Sequence, residues 1–168
     1  LGISKELCRA YGEKYGRPFW FLPPVVDSHL IPQEIRFPVE ENPKSSHGVL
    51  IGNIWSQNWL DKLREINRKT GNQIHWYGSQ NREWIQFDES ELKEDGIDFK
   101  GHYPEDELVQ ALRQAAYGLI LTGTRDDRSD RPELAKLSLP SRLTYLLATA
   151  YLPIIVVGNS NTAAAKFV

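Results

Sequence analysis

The sequence predicts an α/β domain, a parallel β-sheet flanked by helices. Short apolar runs recur at 49–51, 73–77, 118–121 and 153–157, and segments with apolar residues at helical spacing lie between them. The runs are continuous rather than alternating, the pattern of strands covered on both faces. Strand–helix alternation of this kind implies right-handed crossovers, with ligands bound beyond the carboxyl ends of the strands.

Taken in order, residues 1–16 read as a helix. Ser4 can cap it, Ile3, Leu7 and Tyr11 recur at helical spacing, and Gly16-Arg17-Pro18 stops it. Phe19-Trp20-Phe21-Leu22 reads as a short strand closed by Pro23-Pro24, and residues 27–47, rich in proline, serine and charge, as an irregular connection. Regular alternation starts at Gly48. Val49-Leu50-Ile51 predicts a buried strand ending at Gly52-Asn53. Trp59, Leu60, Leu63 and Ile66 then form one apolar helical stripe, which Gly71 ends. The strand at 73–77 closes at Gly78. After a polar stretch, 97–100 reads as a short strand ending at Gly101. The acidic turn Pro104-Glu105-Asp106-Glu107 opens a helix carrying Leu108, Ala111, Leu112 and Ala115. A strand at 118–121 precedes a long polar loop, 122–137. Ser138-Leu139-Pro140 leads into a helix whose Leu143, Leu146, Leu147 and Ala150 form the buried stripe. The last strand is 153–157, and a further helix begins within 159–168.

The chain has 168 residues, enough for one domain with its own core, and a net charge of −2 gives no basic field to attract nucleic acid. Its longest apolar run, around Ile154–Val157, is too short to span a bilayer. Cys8 is the single cysteine, so no internal disulfide can form, which suits a reducing cytoplasm. The chain contains no methionine and begins at Leu1, and it breaks off as a helix starts. It therefore reads as a piece of a longer protein, with 1–47 as a connecting segment and 48–168 as the α/β domain.

Chemistry is sought where strands end. Ser138-Leu139-Pro140-Ser141-Arg142-Leu143 places a proline at a helix start, and the following free amides would point into the cleft. Together with the helix dipole, the Ser141 hydroxyl and the Arg142 guanidinium, they would suit an anion. The same residues also read as an ordinary capped helix start. Arg142 precedes the apolar stripe and is expected in the exposed first turn, without a role in stability. Gly52-Asn53-Ile54-Trp55 lets a ligand approach the backbone after the first strand. Trp55 reads either as a contact there or as packing, whereas Trp59, on the stripe, reads as core. Gly101-His102-Tyr103-Pro104 could offer a stacking ring or main-chain bonds to a base, or be a simple turn. The acid of Glu105 and Asp106 makes this loop better suited to a base than to a diphosphate. Arg125, Arg128 and Arg131 could face an anion, but Asp126, Asp127 and Asp130 nearly cancel them, and a solvated loop is the alternative. No G-x-G-x-x-G, P-loop or D-x-D sequence occurs, and the histidines are too scattered for a structural zinc site. No metal or other cofactor is expected.

In order and spacing, these motifs resemble the second domain of GT-B glycosyltransferases, close to family 4. The likeness runs through Gly48-Val49-Leu50-Ile51-Gly52-Asn53, Ile74-His75-Trp76-Tyr77-Gly78, Ile97-Asp98-Phe99-Lys100-Gly101, Tyr103-Pro104-Glu105-Asp106-Glu107-Leu108 and Ala116-Tyr117-Gly118-Leu119-Ile120-Leu121. It continues in Leu139-Pro140-Ser141-Arg142-Leu143 and Tyr151-Leu152-Pro153-Ile154-Ile155, so that it covers 45–168. The resemblance implies a Rossmann-like half of a GT-B fold that binds a UDP-sugar, UDP-glucose or a close relative. The parent enzyme would transfer the sugar, without metal and with retention, to a polysaccharide, oligosaccharide or lipid-linked acceptor. It implies the base near Gly101, His102 and Tyr103, the diphosphate on Ser141, Arg142 and Leu143, and phosphate and sugar near Gly52, Asn53 and Trp55. The family's ribose-binding glutamate falls where this chain has Thr144 and Tyr145, so Thr144 is carried over as the candidate contact. Lysine is usual where Arg142 stands, and the family's pair of glutamates is not recognisable. An acceptor domain would precede this piece, and the whole enzyme could attach peripherally to the inner face of a membrane. The rival readings are a non-catalytic nucleotide-binding or scaffold module, and a flavodoxin-like regulatory domain. Gly52-Asn53 argues against the latter, which needs an aspartate cluster at that strand end.

Overall fold

The computed structural model describes residues 1–33, 46–79, 83–123 and 132–168, apart from the side chains of Pro132 and Leu134. Residues 34–45 of the expected irregular connection, and the Arg125–Arg131 segment, lie outside the described residues. The strands are β1 (Gly48–Ile51), β2 (Ile74–Tyr77), β3 (Ile97–Gly101), β4 (Tyr117–Leu121) and β5 (Ile154–Val157). All pair in parallel, in the order β3-β2-β1-β4-β5. This is the Rossmann-like α/β sheet that the sequence predicts. The helices are α1 (Lys5–Tyr15), α2 (Gln57–Thr70), α3 (Glu89–Glu94), α4 (Glu105–Arg113), α5 (Pro132–Leu137), α6 (Ser141–Ala150) and α7 (Ala163–Phe167).

Two apolar layers explain the continuous strand runs. On one face Val49, Ile51 and Ile120 pack with Leu112 of α4 and with Leu143 and Leu146 of α6. On the other, Leu50, Trp76, Leu119 and Leu121 pack with Trp59, Leu60 and Leu63 of α2 and with Leu92 of α3. Successive strand residues point to opposite faces, so both parities must be apolar. Helix ends follow their local chemistry. The hydroxyl of Ser56 accepts from Trp59 N at the start of α2, and Gly71 closes that helix with φ 67°.

Some expectations are corrected. Residues 19–22 form no strand: Phe21 makes a single bridge with Gly2, and Trp20 and Leu22 stay exposed. The run has no long partner strand to cover it. A one-turn 3-10 helix, Ser28–Leu30, interrupts the expected irregular connection, with the Asp27 carboxylate capping it at His29 N. The polar stretch before β3 contains α3, capped by Asp88 and anchored by Leu92, and the loop before α6 contains α5. On α2, Asn67 rather than Ile66 completes the buried stripe, its amide donating to Gly96 O at 3.3 Å. On α4, Val109 is buried where Leu108 was expected.

The strand order sets the place of the site. From β1 the chain steps outward through β2 to β3, then returns to β4 on the other side of β1. Beyond the carboxyl ends of β1 and β4 the flanking connections diverge, and this switch point leaves a crevice.

Candidate functional site

Each wall of the crevice is fixed by a strand end. Gly52 leaves β1 with φ 83°, a conformation that favours glycine. Its amide still donates to Tyr77 O (2.8 Å), and its carbonyl accepts from the indole Nε1 of buried Trp76 (2.8 Å). Gly78 follows β2, where a Cβ would stand 2.8 Å from Gly52 O, so the two turns approach too closely for a side chain. Gly78 N in turn donates to the carbonyl of Gly101, which ends β3. Beyond it, Tyr103 meets Tyr77 edge-on at 5.1 Å. Burial, with Tyr103 and Asp98 nearby, pushes the Tyr77 phenol up from its ordinary value.

Two cavities open here. The first, about 560 Å³, is lined by Gly52, Tyr77, Gly101, His102, Tyr103, Glu105, Ser141, Arg142 and Tyr145, and by Pro24, Val25 and Val26 of the N-terminal segment. The second, about 690 Å³, is lined by Gly52, Asn53, Trp55, Thr122, Ser138, Ser141 and Arg142. Both volumes fall in the range of small-molecule sites. They share Gly52, Ser141 and Arg142.

Arg142 is the central residue, and it is not the exposed first-turn arginine that the sequence suggested. Its side chain turns back into the crevice. Nη1 donates to Asn53 O (3.1 Å) and Ile51 O (3.4 Å), and Nη2 donates to Leu121 O (3.0 Å). The guanidinium thus ties the ends of β1 and β4 together. Nε is shut off from solvent without a hydrogen-bond partner. Burial pushes the guanidinium down from its ordinary value. Among the described residues no carboxylate pairs with it.

The remaining sequence candidates divide. Gly52, Gly101, His102, Tyr103, Ser141 and Arg142 come together around the first cavity, and Asn53 and Trp55 join the second. Leu143 and Thr144 line neither cavity. The Leu143 side chain is fully buried and its amide closes a turn on Pro140 O at 3.0 Å. The Thr144 hydroxyl donates to Ser141 O at 2.8 Å, and the residue lines neither cavity. The next residue, Tyr145, lines the first cavity. The Tyr145 hydroxyl donates to Glu105 Oε1 (3.3 Å) at the cavity wall. Burial, then the Glu105 carboxylate, pushes the phenol up to about 12. Sequence reading named Tyr145 beside Thr144 but chose Thr144, and it missed the Pro24–Val26 wall. The apolar pair Val25-Val26 after two prolines was the available signal for the wall. No spacing rule joins Tyr145 to Glu105, 40 residues away.

Among the described residues no three His, Cys, Asp or Glu side chains converge as a metal site, and no helix is long and apolar enough to cross a membrane. In comparisons with known proteins, no family model and no curated protein matches the chain.

Proposed function

We propose that this chain is the donor-binding half of a glycosyltransferase and holds a UDP-sugar, UDP-glucose or a close relative, at the switch point. The observation that carries the reading is Arg142, a half-buried cation whose Nε is shut off from solvent and which has no carboxylate partner among the described residues. Three main-chain carbonyls take up its Nη donors but supply no counter-charge, and an anion in the crevice would supply one. The start of α6, with the Ser141 hydroxyl exposed beside it, adds the favourable end of a helix dipole. The first cavity offers a nucleoside two chemistries. Tyr103, Tyr77 and Val25 give apolar surface for a base, and Glu105, held by Tyr145, gives an acceptor for sugar hydroxyls. Glu105 repels phosphate, so the nucleotide would lie with its ribose toward α4 and its diphosphate toward α6. In transfer, the developing charge of the leaving diphosphate is what Arg142 and the helix start would stabilise. The acceptor would be a polysaccharide, oligosaccharide or lipid-linked sugar presented by another domain.

Calorimetry with UDP and uridine tests this. Hydrogen bonds to charged groups contribute about 1.5–3 kcal/mol each. Arg142→Gln should therefore weaken UDP by roughly tenfold to a hundredfold, and Arg142→Lys should weaken it less. Uridine should bind all three proteins alike. Equal UDP affinities would remove the phosphate role, and a parallel loss for uridine would report a damaged fold. A second reading, a module that binds nucleotide without transfer, is favoured by α6 itself, which carries no carboxylate. Tight UDP-sugar binding by a full-length parent that neither hydrolyses nor transfers the sugar would select it.

A further inference from the structure

We propose that the stacked indoles of Trp55 and Trp84 form a platform for a pyranose ring of a free glycan chain, with the second cavity receiving the hydroxyls of that chain. The inference does not rest on the nucleotide reading, because it concerns a sugar that carries no nucleotide.

The pair is both exposed and stacked. Trp59 and Trp76 are 3% and 0% exposed, whereas Trp55 and Trp84 are 55% and 42% exposed. Large aromatic side chains gain most from burial, so two left on one surface patch mark a binding site. The rings lie 5.4 Å apart and within 16° of parallel, so each covers one face of its partner and the stack leaves an outer ring face at the surface. That face is held rather than loose. Trp84 Nε1 donates to Ile54 O (2.8 Å), which fastens the segment before α3 to the loop that carries Trp55. Gln86 N, donating to Gln57 Oε1 at 2.9 Å, makes a second fastening. A platform ordered before its ligand arrives loses little entropy on binding.

The surroundings select the ligand. Trp55 lines the second cavity beside Asn53, Thr122, Ser138 and Ser141, which bear neutral amide and hydroxyl groups. Among the described lining residues Arg142 is the one charge, and it stands at the wall shared with the first cavity. An outward apolar ring face beside a hollow that carries amide and hydroxyl groups among apolar ones complements a molecule with one apolar face and a hydroxylated edge. A pyranose ring is such a molecule: its C–H groups lie on an aromatic face while its equatorial hydroxyls point sideways. The second cavity reaches the first at Gly52, Ser141 and Arg142, so a chain seated on the indoles would have one end directed toward the shared wall.

The test uses the protein without nucleotide. Maltoheptaose, cellohexaose and chitohexaose are titrated separately, with calorimetry and indole fluorescence as readouts. At least one should saturate with a change in tryptophan emission. Trp55→Ala and Trp84→Ala should each weaken that binding by roughly tenfold or more, a change of about 1.4 kcal/mol. Trp55→Phe, which keeps a flat ring, should retain most of it. Near-ultraviolet circular dichroism and urea unfolding verify that the variants are folded. The proposal is overturned if none of the oligosaccharides binds at millimolar concentration, if binding persists undiminished in both folded alanine variants, or if only nucleotide-linked sugar reaches the site. UDP titrated on its own reports on the first cavity, so failure of either reading is visible separately.

Discussion

At the scale of single residues, Arg142 serves the strand ends as well as the crevice. Its guanidinium satisfies the carbonyls of Ile51, Asn53 and Leu121. Removing it leaves those acceptors to find water at a crowded strand edge, at a cost of about 1–3 kcal/mol per group that stays unsatisfied. Arg142→Ala should therefore lower the urea midpoint clearly, while Arg142→Lys should recover part of the loss. A midpoint unchanged in the alanine variant would show that these bonds contribute nothing net. Helical periodicity placed Leu143, Leu146 and Ala150 in the core, with Leu147 half-buried and Thr149 buried beside them, but it says nothing about where a long side chain one residue earlier will reach. Gly78 makes a second residue-scale prediction. A methyl group there would press on Gly52 O and the Trp76 indole, at 2.8 and 2.9 Å. Overpacking of this kind costs about 1–3 kcal/mol, so Gly78→Ala should destabilise the fold and loosen the β1 turn. Unchanged thermal unfolding would show that the two turns can separate freely.

At the scale of elements, α2 and α3 are clamped by charge. Arg64 Nε and Arg68 Nη1 both donate to Asp95, which follows α3, and Arg64 Nη2 reaches Glu91 at 3.2 Å. Burial alone pushes the Asp95 carboxyl up, but the two guanidiniums outweigh it and hold the carboxyl below its ordinary value. A depressed folded value means that this stability is present above the unfolded value, near pH 4, and is lost as pH falls through the folded one. The stacked His47 and His75 act in a different window. Burial, with Lys100 and for His75 also His47, holds both imidazoles below 6.5. Their neutral forms belong to the fold, so stability is complete above 6.5 and declines as pH falls below it. Urea unfolding across pH should separate the two. Asp95→Asn should lose stability at neutral pH and flatten the steep acid limb, and His75→Gln should flatten the slope just below 6.5. A wild-type slope in either variant would detach that residue from its window. The same elements show what sequence could and could not reveal. The strands were legible because two-sided burial makes the central β1 and β4 continuous apolar runs, while β2 and β3 keep enough apolar residues around His75, Asp98 and Lys100 to read as strands. Helix α3 was not, because six residues with one buried leucine show no period. At the site, the glycines ending β1, β2 and β3 were legible. The Glu105–Tyr145 contact and the Pro24–Val26 wall were not, since tertiary folding alone brings them together.

At the scale of the molecule, the sheet order opens a crevice at its switch point, and the charge placed there decides how a diphosphate would be neutralised. A transferase that relies on a divalent ion needs carboxylates to hold it. The sequence has no D-x-D, and among the described residues no three acidic or imidazole side chains converge. The crevice instead holds Arg142 and the start of a ten-residue helix, groups that on the proposed reading would neutralise a diphosphate without an ion. UDP should accordingly raise the unfolding temperature equally in EDTA and in magnesium. A ligand at a hundred times its Kd stabilises by about 2.7 kcal/mol. For a domain of this size that corresponds to a rise of about 5–10 °C. Uridine, without phosphates, should give a smaller rise at the same concentration. Loss of the UDP effect in EDTA and its return with magnesium or manganese would mean that an ion, not Arg142, carries the phosphate. The absence of any rise with UDP in either buffer would remove the nucleotide from the crevice altogether. A rise that survives chelation in the wild type but vanishes in Arg142→Lys, with the fold intact, would assign the neutralising role to the two-pronged guanidinium rather than to its charge alone.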